Sequence, residues 1–281
     1  MIRISNLKIS IILALITLTA SLSAQDDDSG KLPVRSPWET GILIDNPTVV
    51  SPYKGALELN IQHRFGTIKN GITDIYGIYA PSNIRMALNY GVTDRIMVGF
   101  GTTKDSKLQD FDLKVALIQQ NRSGSVPVSL SFFGNFVVNA SSKDNFGPEE
   151  RYKAIHRFSY FSELILSRKF SDMLSLQLAP SFSYFNAIAA GSKNNYIGIS
   201  GGGRVKILSS SSIIFEYDQA VTESDSKSNL GIGYEIGTAT HCFQIVMSNN
   251  RLLIPQHSYA INTNDFSKGE FSLGFNITVR F

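Results

Sequence analysis

The chain has 281 residues, with 26 lysines and arginines against 23 aspartates and glutamates, for a formal charge of +3. That near balance offers no clustered basic face for a nucleic-acid partner, and the single cysteine, Cys242, excludes an internal disulfide. Mean hydropathy is 0.00 although 43% of residues are hydrophobic, so the apolar side chains are dispersed rather than gathered into the ~20-residue runs that spanning helices need.

Residues 1–24 read as a cleaved signal peptide: Arg3 and Lys8 in a basic start, an apolar run from Ile9 to Ala20, and small residues at Ser23 and Ala24. Leu22, three positions before the expected cut, is large for its place, which fixes the cut only to within a residue or two. No cysteine follows to carry a lipid, and loss of Arg3 and Lys8 lowers the charge to about +1.

Residues 25–53 form a lead-in on the periplasmic side. It opens with Asp26, Asp27, Asp28, Ser29 and Gly30, has prolines at 33 and 37, and turns apolar at Ile42, Leu43, Ile44, Val49 and Val50. Two placements fit the stretch from Trp38 to Pro52: a plug inside the barrel mouth, or an ordinary cap beneath it. The cap is the expected one.

From residue 54 to 281 the chain repeats one pattern, apolar side chains alternating with polar or small ones, as in strands with two different faces. The predicted strands run Ala56–Phe65, Asn83–Gly91, Arg95–Thr102, Gln109–Gln119, Val128–Ala140 and His156–Arg168. They continue through Leu174–Tyr184, Tyr196–Ile207, Ser212–Thr222, Leu230–Ile236 and Phe243–Met247. The chain closes on Glu270–Phe281, where Phe271, Leu273, Phe275, Ile277, Val279 and Phe281 face one way. The number is about twelve, and single-chain bacterial barrels have even counts.

Connections alternate in length. Short ones follow even strands, as at 92–94 and 169–173; the long ones, 66–82, 141–155, 186–195 and 249–269, follow odd strands. These features define an all-β, transmembrane, antiparallel up-and-down β-barrel of about twelve strands, with short periplasmic turns and longer extracellular loops.

The faces separate lipid from lumen. A charge at the midplane of the lipid face would cost ~2–4 kcal/mol, and the apolar faces carry essentially none. Tyr90, Phe158, Tyr160, Phe182, Tyr184 and Phe281 gather near strand ends as an interfacial girdle does. The opposite face holds Glu58, Asp112, Glu163, Glu216, Asp218 and Glu235 against Arg64, Arg85, Lys114, Arg157, Arg204 and Arg280, which are the candidate lumen-lining residues. The two signs balance, which predicts ion pairs across a narrow lumen.

Three stretches carry a resemblance: Ile61-Gln62-His63-Arg64-Phe65-Gly66, Asn89 through Gly101, and Gly274-Phe275-Asn276-Ile277-Thr278-Val279-Arg280-Phe281. They resemble the recurring motifs of an uncharacterised outer-membrane β-barrel family of Bacteroidetes-type Gram-negative bacteria, described as a domain of unknown function (5777). The likeness covers the whole mature chain. It implies a barrel in the cell outer membrane and supplies no activity.

Two glycine motifs imitate catalytic signatures. Gly198-Ile199-Ser200-Gly201-Gly202 fits a nucleophile pattern that needs a strand, a sharp turn and a helix, yet strand alternation continues to Ile207, so these glycines are expected to ease barrel curvature. Gly231-Ile232-Gly233 lacks the helix and lysine of a phosphate loop. His63 is expected to face outward, and no histidine stands at metal-ligand spacing from carboxylates or a cysteine, so neither metal nor cofactor is expected.

Three functions remain: a small passive or gated pore of unknown cargo; a structural or docking subunit of an envelope complex, suggested by the apolar loop Arg251 to Ile261; and a barrel-wall hydrolase using His63 and outward serines such as Ser162. The pore is favoured, and the chain is not expected to be an enzyme. Expected partners are outer-membrane lipids, the barrel-assembly machinery and an unidentified envelope protein.

Overall fold

The computed structural model describes residues 28–35, 37–189 and 192–281; the predicted signal peptide lies outside them. Twelve strands are present: β1 (Leu57–Thr67), β2 (Asn83–Gly91), β3 (Ile96–Thr103), β4 (Leu108–Ile118), β5 (Ser129–Asn139) and β6 (Phe158–Lys169). The remainder are β7 (Leu174–Phe185), β8 (Asn195–Lys206), β9 (Ser211–Ala220), β10 (Asn229–Gly237), β11 (His241–Ser248) and β12 (Ser272–Arg280). Each pairs antiparallel with its sequence neighbours, and β12 pairs with β1, so the sheet closes into a barrel. Closure removes the unpaired backbone edges that lipid cannot satisfy.

Side-chain alternation sets which residues meet lipid. On β2, Asn83, Arg85, Ala87 and Asn89 are buried inside, whereas Met86, Leu88 and Tyr90 are exposed. Two of the residues expected in the aromatic girdle, Tyr160 and Tyr184, belong to a ladder of paired rings: Phe100 opposes Phe111, then Phe136, Tyr160 and Tyr184 on successive strands from β3 to β7. Its rings approach to 5.3 Å between Phe100 and Phe111 and 5.4 Å between Phe136 and Tyr160. Strand ends differ from expectation by one or two residues, as where β11 begins at His241 rather than Phe243.

The long connections lie at one end and most short ones at the other, which is also where β1 begins and β12 ends. From the short-turn end, the segment around Trp38 to Pro52 rises into the lumen. It is a plug, and the cap expected for it is corrected. Trp38, Leu43 and Ile44 bury their side chains against Ile214 on β9 and Val246 on β11, an apolar patch unavailable outside the barrel.

From the long-loop end, the connection between β11 and β12 folds inward and forms a short helix, α1 (Pro255–Ala260). Leu253, Ile254 and Tyr259 are buried. Much of the apolar loop that suggested a docking role therefore packs into the barrel's own interior, while Ile261 stays exposed.

Candidate functional site

Ten of the twelve candidate lumen residues are buried within the barrel: Glu58, Arg64, Arg85, Asp112, Lys114, Glu163, Arg204, Glu216, Asp218 and Glu235. Arg280 is half-buried near the short-turn end, where it donates to Glu58 Oε2 at 3.3 Å and to the Glu39 carbonyl. Arg157 is not in the lumen. It precedes β6 by one residue and sits at the long-loop rim, donating to the carbonyls of Asn139 and Ser141 at 2.7 Å each and lying over the Phe146 and Tyr152 rings. Strand phase alone turned it inward; unpaired loop carbonyls and two rings hold it at the rim.

The expected balance of signs is also corrected. Asp110, two residues before Asp112 on β4, is fully buried, so seven carboxylates and four cationic side chains are buried among the described residues. Arg85 serves two of those carboxylates, bonding Asp110 and reaching Asp112 Oδ2 at 2.9 Å. Asn135 donates to the other Asp112 oxygen at 2.7 Å.

The plug is held by wall charges acting on its backbone and on its own acids. Arg64 donates to Asp45 Oδ1 at 2.7 Å, to the Ile44 carbonyl at 3.0 Å and to Asn276 Oδ1 at 2.9 Å. Glu216 accepts from the backbone N–H groups of Ile44, Asp45 and Asn46, an arrangement that seats a carboxylate in a nest of donors. Lys114 donates to the carbonyls of Gly41 and Val50 at 3.2 and 2.8 Å. Lower down, Arg204 bridges Glu39 at 2.9 Å and Glu235 at 2.8 Å, and Trp38 Nε1 donates to Ser167 Oγ at 2.8 Å.

The loop is held by packing and by neutral hydrogen bonds. Tyr259 stacks on Phe161 with ring centroids 6.2 Å apart, His257 stacks on Phe185 at 5.7 Å, and Ile254 joins Leu108 and Val137. Gln256 donates to Asn135 Oδ1 at 3.0 Å and Ser159 Oγ at 3.2 Å. Burial pushes the His257 imidazole down to about 4. Plug and loop meet at Asp45, whose Oδ2 accepts from Asn250 Nδ2 at 3.2 Å.

Between the two fillings a cavity of about 40 Å³ remains, lined by Asp45, Pro47, Arg85, Lys114 and Leu253 among others. It has room for about three waters and for no larger solute. The glycines of β8, expected to ease curvature, also make room for the filling. A Cβ on Gly202 would sit 2.3 Å from Leu43 Cδ2, inside the plug's own volume.

The motifs that imitate catalysis stay apart. Gly198 to Gly202 lies wholly within β8, with no turn into a helix. His63 faces outward between Phe65 and Phe275, at ring distances of 4.4 and 5.0 Å. It is on β1 and Ser162 is on β6, five strands away around the barrel, so the two do not form a pair. Among the described residues no three of His, Cys, Asp and Glu stand together as metal ligands.

Several solved barrels are similar to this chain. The NanC porin aligns with a TM-score of 0.49 and 9% identity over 80% of this chain and 98% of its own. The KdgM porin in complex with disordered oligogalacturonate gives 0.48 and 8% over the same shares. Omp33 of Acinetobacter baumannii gives 0.41 and 10% over 82% of this chain and 99% of its own. No curated protein matches. Residues 38–281, plug and barrel together, match the family described as a membrane bound beta barrel domain (DUF5777), and the chain belongs to that family of membrane β-barrels.

Proposed function

We propose that the protein is a gated pore of the bacterial outer membrane, shut in the form described here, with residues 38–52 as the removable stopper and the short-turn end facing the periplasm. The observation that carries this reading is how the plug is bound. Its grip on the wall runs through Arg64, Lys114, Arg204, Glu216 and Asp218, beside an apolar patch around Trp38, Leu43 and Ile44 and the packing of Val49 on the Phe133–Phe161 cluster. A barrel filled once and for all gains nothing from burying charges, since apolar side chains of similar volume are as stabilising or more so. A wall that keeps its charges remains satisfied by water when the stopper leaves. The excess of buried carboxylates makes the opened passage prefer cations.

The exposed loop between β1 and β2 supports a second reading, a structural or docking subunit. Ile72 and Tyr79 there are 78% and 77% exposed, and Ile75 and Tyr76 hold left-handed backbone angles, with φ of 49° and 54°. Such strain in a β-branched residue persists only where something depends on the loop's shape.

Single-channel recording in planar bilayers distinguishes the two readings. The mature chain is expected to be closed most of the time, and a variant lacking residues 38–52 to carry steady, cation-preferring current. Heat-modifiable migration shows that the variant has folded. A folded variant that passes no current removes the pore and leaves the docking role.

A further inference from the structure

Inside the wall near β6 and β7 lies a group of oxygens that neither plug nor loop answers. Glu163 on β6 is 2% exposed, and neither of its carboxylate oxygens accepts a hydrogen bond. The other buried carboxylates, Glu58, Asp110, Asp112, Glu216, Asp218 and Glu235, each have at least one donor. Glu163 is the exception among the described residues.

Its surroundings supply further oxygens. Across the sheet Glu163 is flanked by Phe133 on β5 and Ser181 on β7. The hydroxyls of Ser181 and Tyr259 are buried beside one another, and no group other than these two hydroxyls bonds them. Gly198 fixes their approach: a Cβ there would lie 2.5 Å from Tyr259 Cε1 and 2.8 Å from Ser181 Oγ, so the phenol ring rests on the wall beside Ser181. The nearest-acting cation is Lys114, in register with Phe133 and so two strands from Glu163. Its ammonium is engaged by the plug carbonyls of Gly41 and Val50.

A carboxylate can only accept, and hydroxyls present lone pairs as readily as protons. A buried carboxylate that no N–H or O–H reaches needs a positive partner, and an unpaired ionised carboxylate is the costliest group to leave in a protein interior. Hard alkali and alkaline-earth cations are held by such oxygen sets. One carboxylate with neutral oxygens matches a single positive charge, whereas divalent sites gather more carboxylates. Among the described residues the interior is acidic, with seven buried carboxylates to four buried cationic side chains.

We propose that Glu163, Ser181 and Tyr259 form a binding site for a hard monovalent cation, sodium or potassium. The ion ties α1 to the β6–β7 wall and neutralises a charge that the plug does not reach. The site stands apart from the gating reading, since a permanently closed barrel binds the ion equally well.

The test is thermal unfolding of the full mature chain in detergent, in sodium, potassium or N-methylglucamine chloride at one ionic strength. The midpoint is expected about 5 °C higher in saturating sodium or potassium than in the organic salt. The variants E163Q and S181A are expected to fold and to lose that difference. In crystals soaked with rubidium chloride, the anomalous signal is expected beside the Glu163 carboxylate. Equal midpoints in all three salts overturn the proposal, as does a salt response that E163Q keeps or a soaked crystal without rubidium at Glu163.

Discussion

The two segments that fill the barrel enter from opposite ends and are held by different forces. The plug adds to its apolar patch a set of ionic and backbone ties: Arg64 to Asp45 and Ile44, Glu216 to three N–H groups, Lys114 to two carbonyls. The loop around α1 is bound through rings and aliphatic side chains, Tyr259 on Phe161, His257 on Phe185, Ile254 with Leu108 and Val137, and through neutral hydrogen bonds such as those of Gln256 to Asn135 and Ser159. Water can replace the ionic and backbone ties nearly bond for bond, and it cannot replace the packed rings. On the gated-pore reading proposed above, this difference in ionic ties is what would make the plug the releasable filling and the loop the permanent one.

That contrast breaks most visibly at Arg64. Replacing it with alanine leaves Asp45 buried without its guanidinium, and removing one partner of a buried pair costs ~3–5 kcal/mol. Arg64→Ala is expected to lower the unfolding midpoint and to raise the fraction of time a single channel stays open; a variant as closed as the parent chain would place the plug's hold elsewhere.

Acid acts on the loop. The folded-state value of His257 is about 4 against an ordinary 6.5, so the unfolded chain binds the proton first as pH falls. Stability from this group is complete above pH 6.5 and is lost progressively between 6.5 and 4. Because the ring is half-buried, the loss is expected at about 2 kcal/mol rather than the full value of the shift. His257→Gln is expected to flatten the melting profile across that window, and an unchanged profile would assign the acid sensitivity to other groups.

A smaller effect sharpens the comparison from the side of packing. Phe161→Leu removes the ring beneath Tyr259 and is expected to cost about 1 kcal/mol without opening the channel, since every ionic tie to the plug remains. Current from that variant would show that the loop, too, takes part in closure.

The wall was legible because alternation is local. Phe111, Leu113 and Val115 against Asp112 and Lys114 fix a face whatever the partner strands are, and the closing strand ending on Phe281 carries the same signal. Asp110 was within reach of the same reasoning, being in phase with Asp112 and only one residue inside the predicted start at Gln109. Arg157 misled because phase was extended one residue past the end of a strand, where loop carbonyls compete for the side chain. The plug was the least legible. Trp38 to Pro52 mixes Leu43 and Ile44 with Asp45 and Asn46 in no period, and its burial depends on Ile214, Glu216 and Asn276, some 170 to 230 positions later in the chain. The glycines that receive it, Gly202 above all, read equally well as relief for a bent sheet.

Three of the plug's anchors lie on the first and last strands. Gln62 and Arg64 on β1 and Asn276 on β12 all bond the Ile44 carbonyl, and β1 meets β12 along the join that makes the ring. One peptide oxygen thus acts as a clasp across the line where the polypeptide's two ends were brought together. A barrel deprived of that clasp keeps, along the same line, the backbone ladder and the direct side-chain bonds of Arg64 to Asn276, Thr278 to Asn60 and Arg280 to Glu58, so the stopper reinforces a join that the wall already closes by itself.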